Sequence, residues 1–395
     1  MSEMFSFTNK EKKFSFILLG VGILLAAIGL FTNLDNPTRL WTGLMYNHLF
    51  FMIIGLVAAF FVASQTIGYN GWYVLIKRIP EAMMMYVPFM AIPMFLILFF
   101  GFDHIYHWGH ADAVAHDKLL QGKAPYLNAP FFFGRAVAYL ALWSGLIFLL
   151  RRNSVSTDTN PDLKIYTRSK HISALFILVF AVTSSTYSWD WLMSIQPHWY
   201  STLWGWYCFI SVFVTCMSIV YLVVRYLQSQ GYLKDVNQEH YHDLGKYMFA
   251  FSVAWAYLFY SQFMLIWYAN IPEETAYFKL RIDEYPVVMY LCIVLNFILP
   301  FFLLITTPAK RRGNIMIVAA ILIIIGHWMD FFQMSVPGAI ESMHAPHIGF
   351  VGLYEIGLGL IYAGAFIFLL FRNLAAAQLV QENHPFAKES VVHHT

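Results

Sequence analysis

A few acids in this sequence lie inside apolar stretches, and their neighbours are of the types that handle protons. In SSTYSWDWLMSIQPHWYST, residues 184–202, Asp190 stands between Trp189 and Trp191 before the chain turns at Pro197. In GHWMDFF, His327 precedes Asp330 by three residues, which on a helix puts imidazole and carboxylate on one face within hydrogen-bonding reach. Glu355 is a third such acid, and Arg135 in FFFGRAVAYL, at similar depth, is the only buried base expected to serve as a counterion. A hydroxyl run, Thr183, Ser184, Ser185, Thr186, Tyr187 and Ser188, leads toward Asp190. A charge at the bilayer centre costs about 2.5–3.5 kcal/mol on insertion scales, so such residues usually face a bundle interior and mark ion or substrate paths. The plainer alternative is an interfacial acid capped by water, with hydroxyls bonded back to their own helix carbonyls.

The elements that must position these groups are membrane helices. Charged residues make up 12% of the chain and apolar residues 59%, too few charges and too much apolar surface for a water-soluble domain. Ten apolar runs are long enough to cross a hydrocarbon core of about 30 Å: 14–32, 46–67, 83–102, 130–150, 171–194, 201–227, 245–269, 285–306, 314–335 and 351–373. Barrel strands would instead be short alternating segments. The expected fold is an all-α integral membrane domain over 1–395, its first run retained as a signal anchor. Two four-helix bundles, 46–194 (helices 2–5) and 201–335 (helices 6–9), are flanked by helices 1 and 10. SWDW closes the first unit as HWMD closes the second, and His48 opens the first as His198 opens the second. That pattern is a parallel repeat about an axis normal to the membrane.

Basic residues give the orientation, because they stay on the cytoplasmic side. Ten spans put both termini and alternate loops on one face, and that face holds all but six of the 24 Lys and Arg, Arg312 among them. The exceptions are Arg39, Lys118, Lys123, Arg135, Lys279 and Arg281. Both termini are therefore expected in the cytoplasm. Asp190, Asp330 and Glu355 then fall in the outer third, and the outer face is locally acidic.

Cofactor ligands are sparse. Cys208, Cys216 and Cys292 each lie within an apolar run, so there is no thiolate set for an iron–sulfur cluster, no CxxCH and no disulfide framework. In GFDHIYHWGHAD, His104, His107 and His110 recur every three residues and share an arc of a helix, which suggests a membrane di-iron hydroxylase or desaturase. Against that reading, the sequence has no HxxHH box and no second histidine cluster. An interfacial helix with amphipathic His and Trp at headgroup level accounts for the pattern, and the chain is expected to bind no metal.

DWLMSIQPHWYST, followed by KYMFAFSVAWAYLFYSQFMLIWYANIPEET and LPFFLLITTPAKRR, closely resembles the polysulphide-reductase (NrfD)-like membrane subunits of bacterial alternative complex III, and the resemblance covers nearly the whole chain. It is greatest to the shorter of that complex's two such subunits, the type described as quinone-binding subunit 2 of a quinol:cytochrome c oxidoreductase. The resemblance implies a ten-helix fold with two four-helix bundles in the bacterial inner membrane. It implies partners: a second NrfD-like membrane subunit, an iron–sulfur subunit, multihaem cytochrome c subunits and a terminal oxidase, with membrane lipids around them and no nucleic acid. Haem c and iron–sulfur clusters would belong to those partners, and menaquinol or another quinol would be the reductant. Asp190 with Tyr187 and His198, or Asp330 with His327, could supply the polar part of a quinol site, and the flanking tryptophans its slot. Three roles follow: quinol oxidation, proton conduction, or a scaffold that completes the complex. A stand-alone transporter is the reading outside such a complex.

Overall fold

The computed structural model describes residues 3–311, 313–347 and 349–394, so Arg312 lies outside the described residues. Among the described residues ten helices are long and apolar enough to cross a membrane: α1 Asn9–Phe31, α2 Pro37–Ile67, α3 Arg78–Ile105, α4 Ala129–Ser156, α5 Leu163–Ile195, α6 Trp204–Ser229, α7 Gln238–Ala269, α8 Pro286–Leu304, α9 Gly313–Ser342 and α10 Leu353–Leu374. Among the described residues there is no strand, only the isolated bridge between Met4 and Gln378. The chain is an all-α, multi-pass integral membrane protein, the architecture in which every backbone group finds a partner without water.

Several helices begin well before the apolar runs that announce them. Polar caps set their ends: Asn36 caps α2 just ahead of Pro37, Asp162 caps α5, and Asn237 caps α7. Hydropathy marks only the part needed in hydrocarbon, whereas the capping residue decides where the helix starts.

Packing follows chain order. α2 lies against α3 and α5, and α4 closes that group between them. α6 lies against α7 and α9, and α8 joins α7 to α9. α2, buried along most of its length, also touches α6, α9 and α10, so it ties the two groups together.

α1 is held differently, along α10 by small residues, the usual way for helices to approach closely in lipid. A Cβ on Gly357 would lie 2.3 Å from the Ala26 amide nitrogen and 2.7 Å from the Gly22 carbonyl oxygen, and both are backbone atoms that cannot yield. We expect Gly357→Val to push α1 from α10 and to cost about 1–3 kcal/mol, as overpacking does. Unfolding by denaturant in mixed micelles would show it, and an unchanged midpoint would contradict the close packing.

The two ends of the chain meet on one face, where the Leu379 amide donates to the Glu3 carbonyl. Beneath them is a buried ionic cluster. Glu81, fully buried, receives Arg78 and Arg151, each at 2.9 Å, and the Ser154 hydroxyl at 2.5 Å, while Arg78 also pairs with Asp158. The C-terminal segment lies over it: Lys77 donates to Gln381 at 3.0 Å and the Ser390 hydroxyl to the Trp72 carbonyl at 2.7 Å. The tail is thus pinned by the chain itself.

Burial, with the Lys77 charge beside it, pushes the His384 imidazole from its ordinary 6.5 to about 3. Between those values a released tail takes up a proton that the docked tail refuses. Docking is therefore at full strength above pH 6.5 and weakens as the pH falls toward 3. A nitroxide at Val392→Cys should gain a mobile component between pH 7.5 and 4.5, and His384→Phe should suppress the gain. A native spectrum insensitive to pH over that range would contradict it.

Candidate functional site

Among the described residues, the ends of the spans opposite the two termini, called the outer ends from the orientation expected of the sequence, hold three buried acids, and their partners sort them. Asp190, near the end of α5 and fully buried, is gripped by Arg135 of α4 through two parallel bonds, Nε to Oδ2 at 2.7 Å and Nη2 to Oδ1 at 2.8 Å. The Tyr139 hydroxyl donates to Oδ2 at 3.0 Å. The guanidinium lies over the rings of Tyr126 and Phe131, and Trp143, Tyr187 and Trp191 pack edge to face around the pair. This planar fork satisfies the charge of Asp190 locally. Glu355 at the start of α10 has the same arrangement with Arg39, at 2.7 and 2.9 Å, and is fully buried rather than water-capped. Arg39 therefore joins Arg135 as a buried counterion, although it sits in a polar stretch of the sequence.

Asp330 differs. Its carboxylate, 2% exposed in α9, meets no Lys or Arg among the described residues and is held by neutral donors from two other helices. The Tyr207 hydroxyl donates to Oδ1 at 2.5 Å, and the Ser211 hydroxyl and the Trp255 indole donate to Oδ2 at 2.8 and 2.9 Å. His327 lies one turn before it, with Nδ1 2.8 Å from the Ser211 oxygen and 3.7 Å from Asp330 Oδ2. With the serine donating to Asp330, the imidazole must donate to the serine. Once Nε2 takes up a proton, the chain Nδ1–H, Oγ–H, Oδ2 can pass one from the imidazolium to the carboxylate in two short hops, leaving a neutral imidazole and a carboxylic acid.

Around this relay are polar groups that the helices bury without satisfying. His327 Nε2, Ser252 Oγ, Gln262 Oε1 and both amide atoms of Asn296 and Gln333 have no hydrogen-bond partner among the described residues. So many orphans in one place are exceptional in a folded protein, where buried polar atoms are matched by protein or water. Asn296 sits in a π-helical turn, Val294–Ile298, inside α8, a distortion frequent at functional sites. Gly326 makes room for it, since a Cβ there would lie 2.1 Å from Asn296 Oδ1. A cavity of roughly 20 Å³, about the space of one water, opens beside Asp330 between Gln262, Gln333 and Arg281.

Arg281 comes from the short helix Pro272–Asp283, which folds back onto the outer end of α9. Only 3% exposed, it donates to the Gln333 carbonyl at 2.8 and 3.0 Å and reaches Gln196 Oε1 at 3.3 Å. Gln196 in turn donates to the exposed Glu341 carboxylate at 2.8 Å. Polar groups therefore run from Asp330 to the outer surface. Burial holds the Arg281 guanidinium below its ordinary value.

The remaining expected residues fall elsewhere. His198 lies in the outer loop, exposed and paired with Asp117, whose carboxyl that bond holds below its usual range. His48, its counterpart in the proposed repeat, is wholly buried in α2 against the Met90 carbonyl, so the two share no environment. The partner sets of Asp190 and Asp330 also come from different helices of their groups. Tyr187 packs on Trp143 and Trp191 and makes no bond to Asp190. Thr183, Ser184, Thr186 and Ser188 each donate to carbonyls of their own helix, and Ser185 meets Gly205 of α6. This stretch is bonded as a packing surface.

His104, His107 and His110 do not share a helical face. α3 ends at Ile105, His107 lies in a 3₁₀ turn, and His104 stacks on Trp41. Among the described residues no three His, Cys, Asp or Glu converge to hold a metal ion. Neither acid lines the tryptophan slot, although it adjoins the Asp190 pair through Tyr126: Trp189, Trp199, Tyr126 and Tyr200 line an open cavity of about 420 Å³ at the outer end. Its one ammonium, Lys123, is spent on the Pro197 carbonyl at 2.5 Å.

Compared with protein-family models and with curated proteins, the chain finds no match.

Proposed function

We propose that this chain is an integral membrane subunit of a bacterial respiratory quinol oxidoreductase of the alternative complex III type, and that it exchanges protons with the outer face through Asp330 and His327. Three pieces of support converge. The segments DWLMSIQPHWYST and SQFMLIWYANIPEE carry the family resemblance. The basic face holds both termini, which fits a cytoplasmic location for them. The observation that carries the reading is the contrast among the buried acids: Asp190 and Glu355 are neutralised by arginine, whereas Asp330 has only neutral donors and an imidazole.

A carboxylate permanently paired with arginine has little cause to change its protonation. One held by hydroxyls and an indole can be neutral or charged with the same neighbours in place. In this reading His327 and Asp330 hold protons in turn, Ser211 hands them across, and Gln262, Gln333 and Gln196 lead outward to Glu341. Electron transfer belongs to an iron–sulfur subunit and multihaem cytochrome c subunits, with a second NrfD-like chain alongside. The aromatic slot near Trp189 and Trp199 favours a second reading in which a quinol ring rests at the outer surface.

An affinity-tagged chain isolated from its native membrane should bring haem c absorbance, an iron–sulfur paramagnetic signal and quinol-dependent reduction of an electron acceptor. Isolation of the chain alone under conditions that keep membrane complexes intact would overturn the assignment.

A further inference from the structure

A cavity of about 590 Å³, which Asp330 does not line, opens among the described residues near the termini. It is a groove on the lipid side, between α1 and α10 on one wall and α6 and α9 on the other, and it runs from the termini face toward mid-membrane. Its walls are apolar: Phe14, Ile219, Val223, Ile324, Ala363 and Ile367 are representative. The groove exists because α1 is zipped to α10 by the glycines at 22, 29, 357 and 364 and so stands off from α6.

Its mouth is polar and cationic. Lys10 lies at the rim, 3.4 Å from the Gln230 amide oxygen, and Lys12 and Lys13 follow within the same turn. The one carboxylate there, Glu11, is turned inward, receiving the Thr8 amide and hydroxyl and the Tyr226 hydroxyl. Lys10 therefore faces the headgroup layer above an apolar slot, with the exposed Lys13 one turn on along the same side, while Lys12 is directed away over the Phe7 ring. Lysines at that level attract anionic lipid headgroups, and an apolar groove of this depth suits a long hydrocarbon chain.

We infer that this groove is a binding site for one anionic glycerophospholipid, with an acyl chain lodged between α1, α6, α9 and α10 and the phosphate on Lys10 and Lys13. The site does not depend on the role of Asp330. Its occupant would fill the gap that the α1–α10 packing leaves and so fix α1 against the body of the protein.

The assembled protein, reconstituted in vesicles with trace spin-labelled phosphatidylglycerol or phosphatidylcholine, tests this directly. Native protein should immobilise phosphatidylglycerol over phosphatidylcholine by about fivefold or more, the factor expected of a single lysine at an anionic surface. The charge reversals K10E and K13E together should bring that ratio to about one while leaving folding untouched, because both side chains are exposed. Ala363→Trp should remove the immobilised lipid of either kind. Equal immobilisation of the two lipids by native protein would overturn the inference. So would a preference that survives the charge reversal, or a quinone rather than a phospholipid retained in the groove on extraction.

Discussion

Arg135→Ala is expected to cost the fold about 3–5 kcal/mol, the usual consequence of leaving one partner of a buried pair uncompensated. Asp190 would keep its single bond from Tyr139 and lose both guanidinium contacts. Arg135 also carries the Tyr126 carbonyl and the stacking of Tyr126 and Phe131, so the outer loop before α4 should loosen as well. The double replacement Arg135→Met with Asp190→Leu should recover most of the loss, because an apolar pair of similar volume removes the charge that needs a partner. Denaturant unfolding of the native protein, Arg135→Met, Asp190→Leu and the double, with Arg135→Ala beside them, would measure it. A single substitution without effect, or a double variant as unstable as the single, would mean that the pair is not the buried fork described here.

Asp330→Asn is expected to act on function more than on folding. Asparagine keeps the shape and one acceptor oxygen, so Tyr207, or the pair Ser211 and Trp255, can still be satisfied, but not all three. The unsatisfied side should cost about 1–3 kcal/mol, which an assembled membrane complex can absorb. What asparagine cannot do is take a proton. General acid–base groups contribute about 10²–10⁴-fold where they are required, so proton release to the outer face should fall at least tenfold in the reconstituted complex while haem content stays unchanged. Ser211→Ala should give a milder loss, since it breaks the bridge from His327 but leaves both titrating groups. Proton release at the native rate in Asp330→Asn would contradict the role given to this residue.

How much of this was legible in the sequence depended on distance along the chain. The ten spans followed from hydropathy, and the pairing of His327 with Asp330 from their spacing. Arg135 could be named as a counterion because ionisable groups are rare at that depth, but which acid it meets, and that Arg39 is a second such base, came only from packing. The neutral shell of Asp330 could not be read, since Tyr207, Ser211 and Trp255 are ordinary residues of membrane helices and only packing of α6 and α7 on α9 gives them a common target. Gln262 and Asn296 did leave a signal, amides inside otherwise apolar runs, that a search confined to charges passed over. Arg281 and Arg39 left none: both sit in polar stretches and are carried inward by the way a short helix and a helix start pack on their neighbours. The hydroxyl run before Asp190 misled in the opposite direction. Its members are conspicuous together, yet a helix offers each of them a carbonyl one turn back, and that local bond prevails.

Under the proposed function Asp330 changes its protonation while Asp190 and Glu355 do not. Infrared difference spectroscopy of the proposed complex, comparing oxidised and quinol-reduced states, observes carboxylic acids as they gain or lose a proton. A carbonyl band that shifts in heavy water, disappears in Asp330→Asn and persists in Glu355→Gln is the predicted result. A carboxylic-acid band unaffected by Asp330→Asn, or no such band in the native complex, would contradict it.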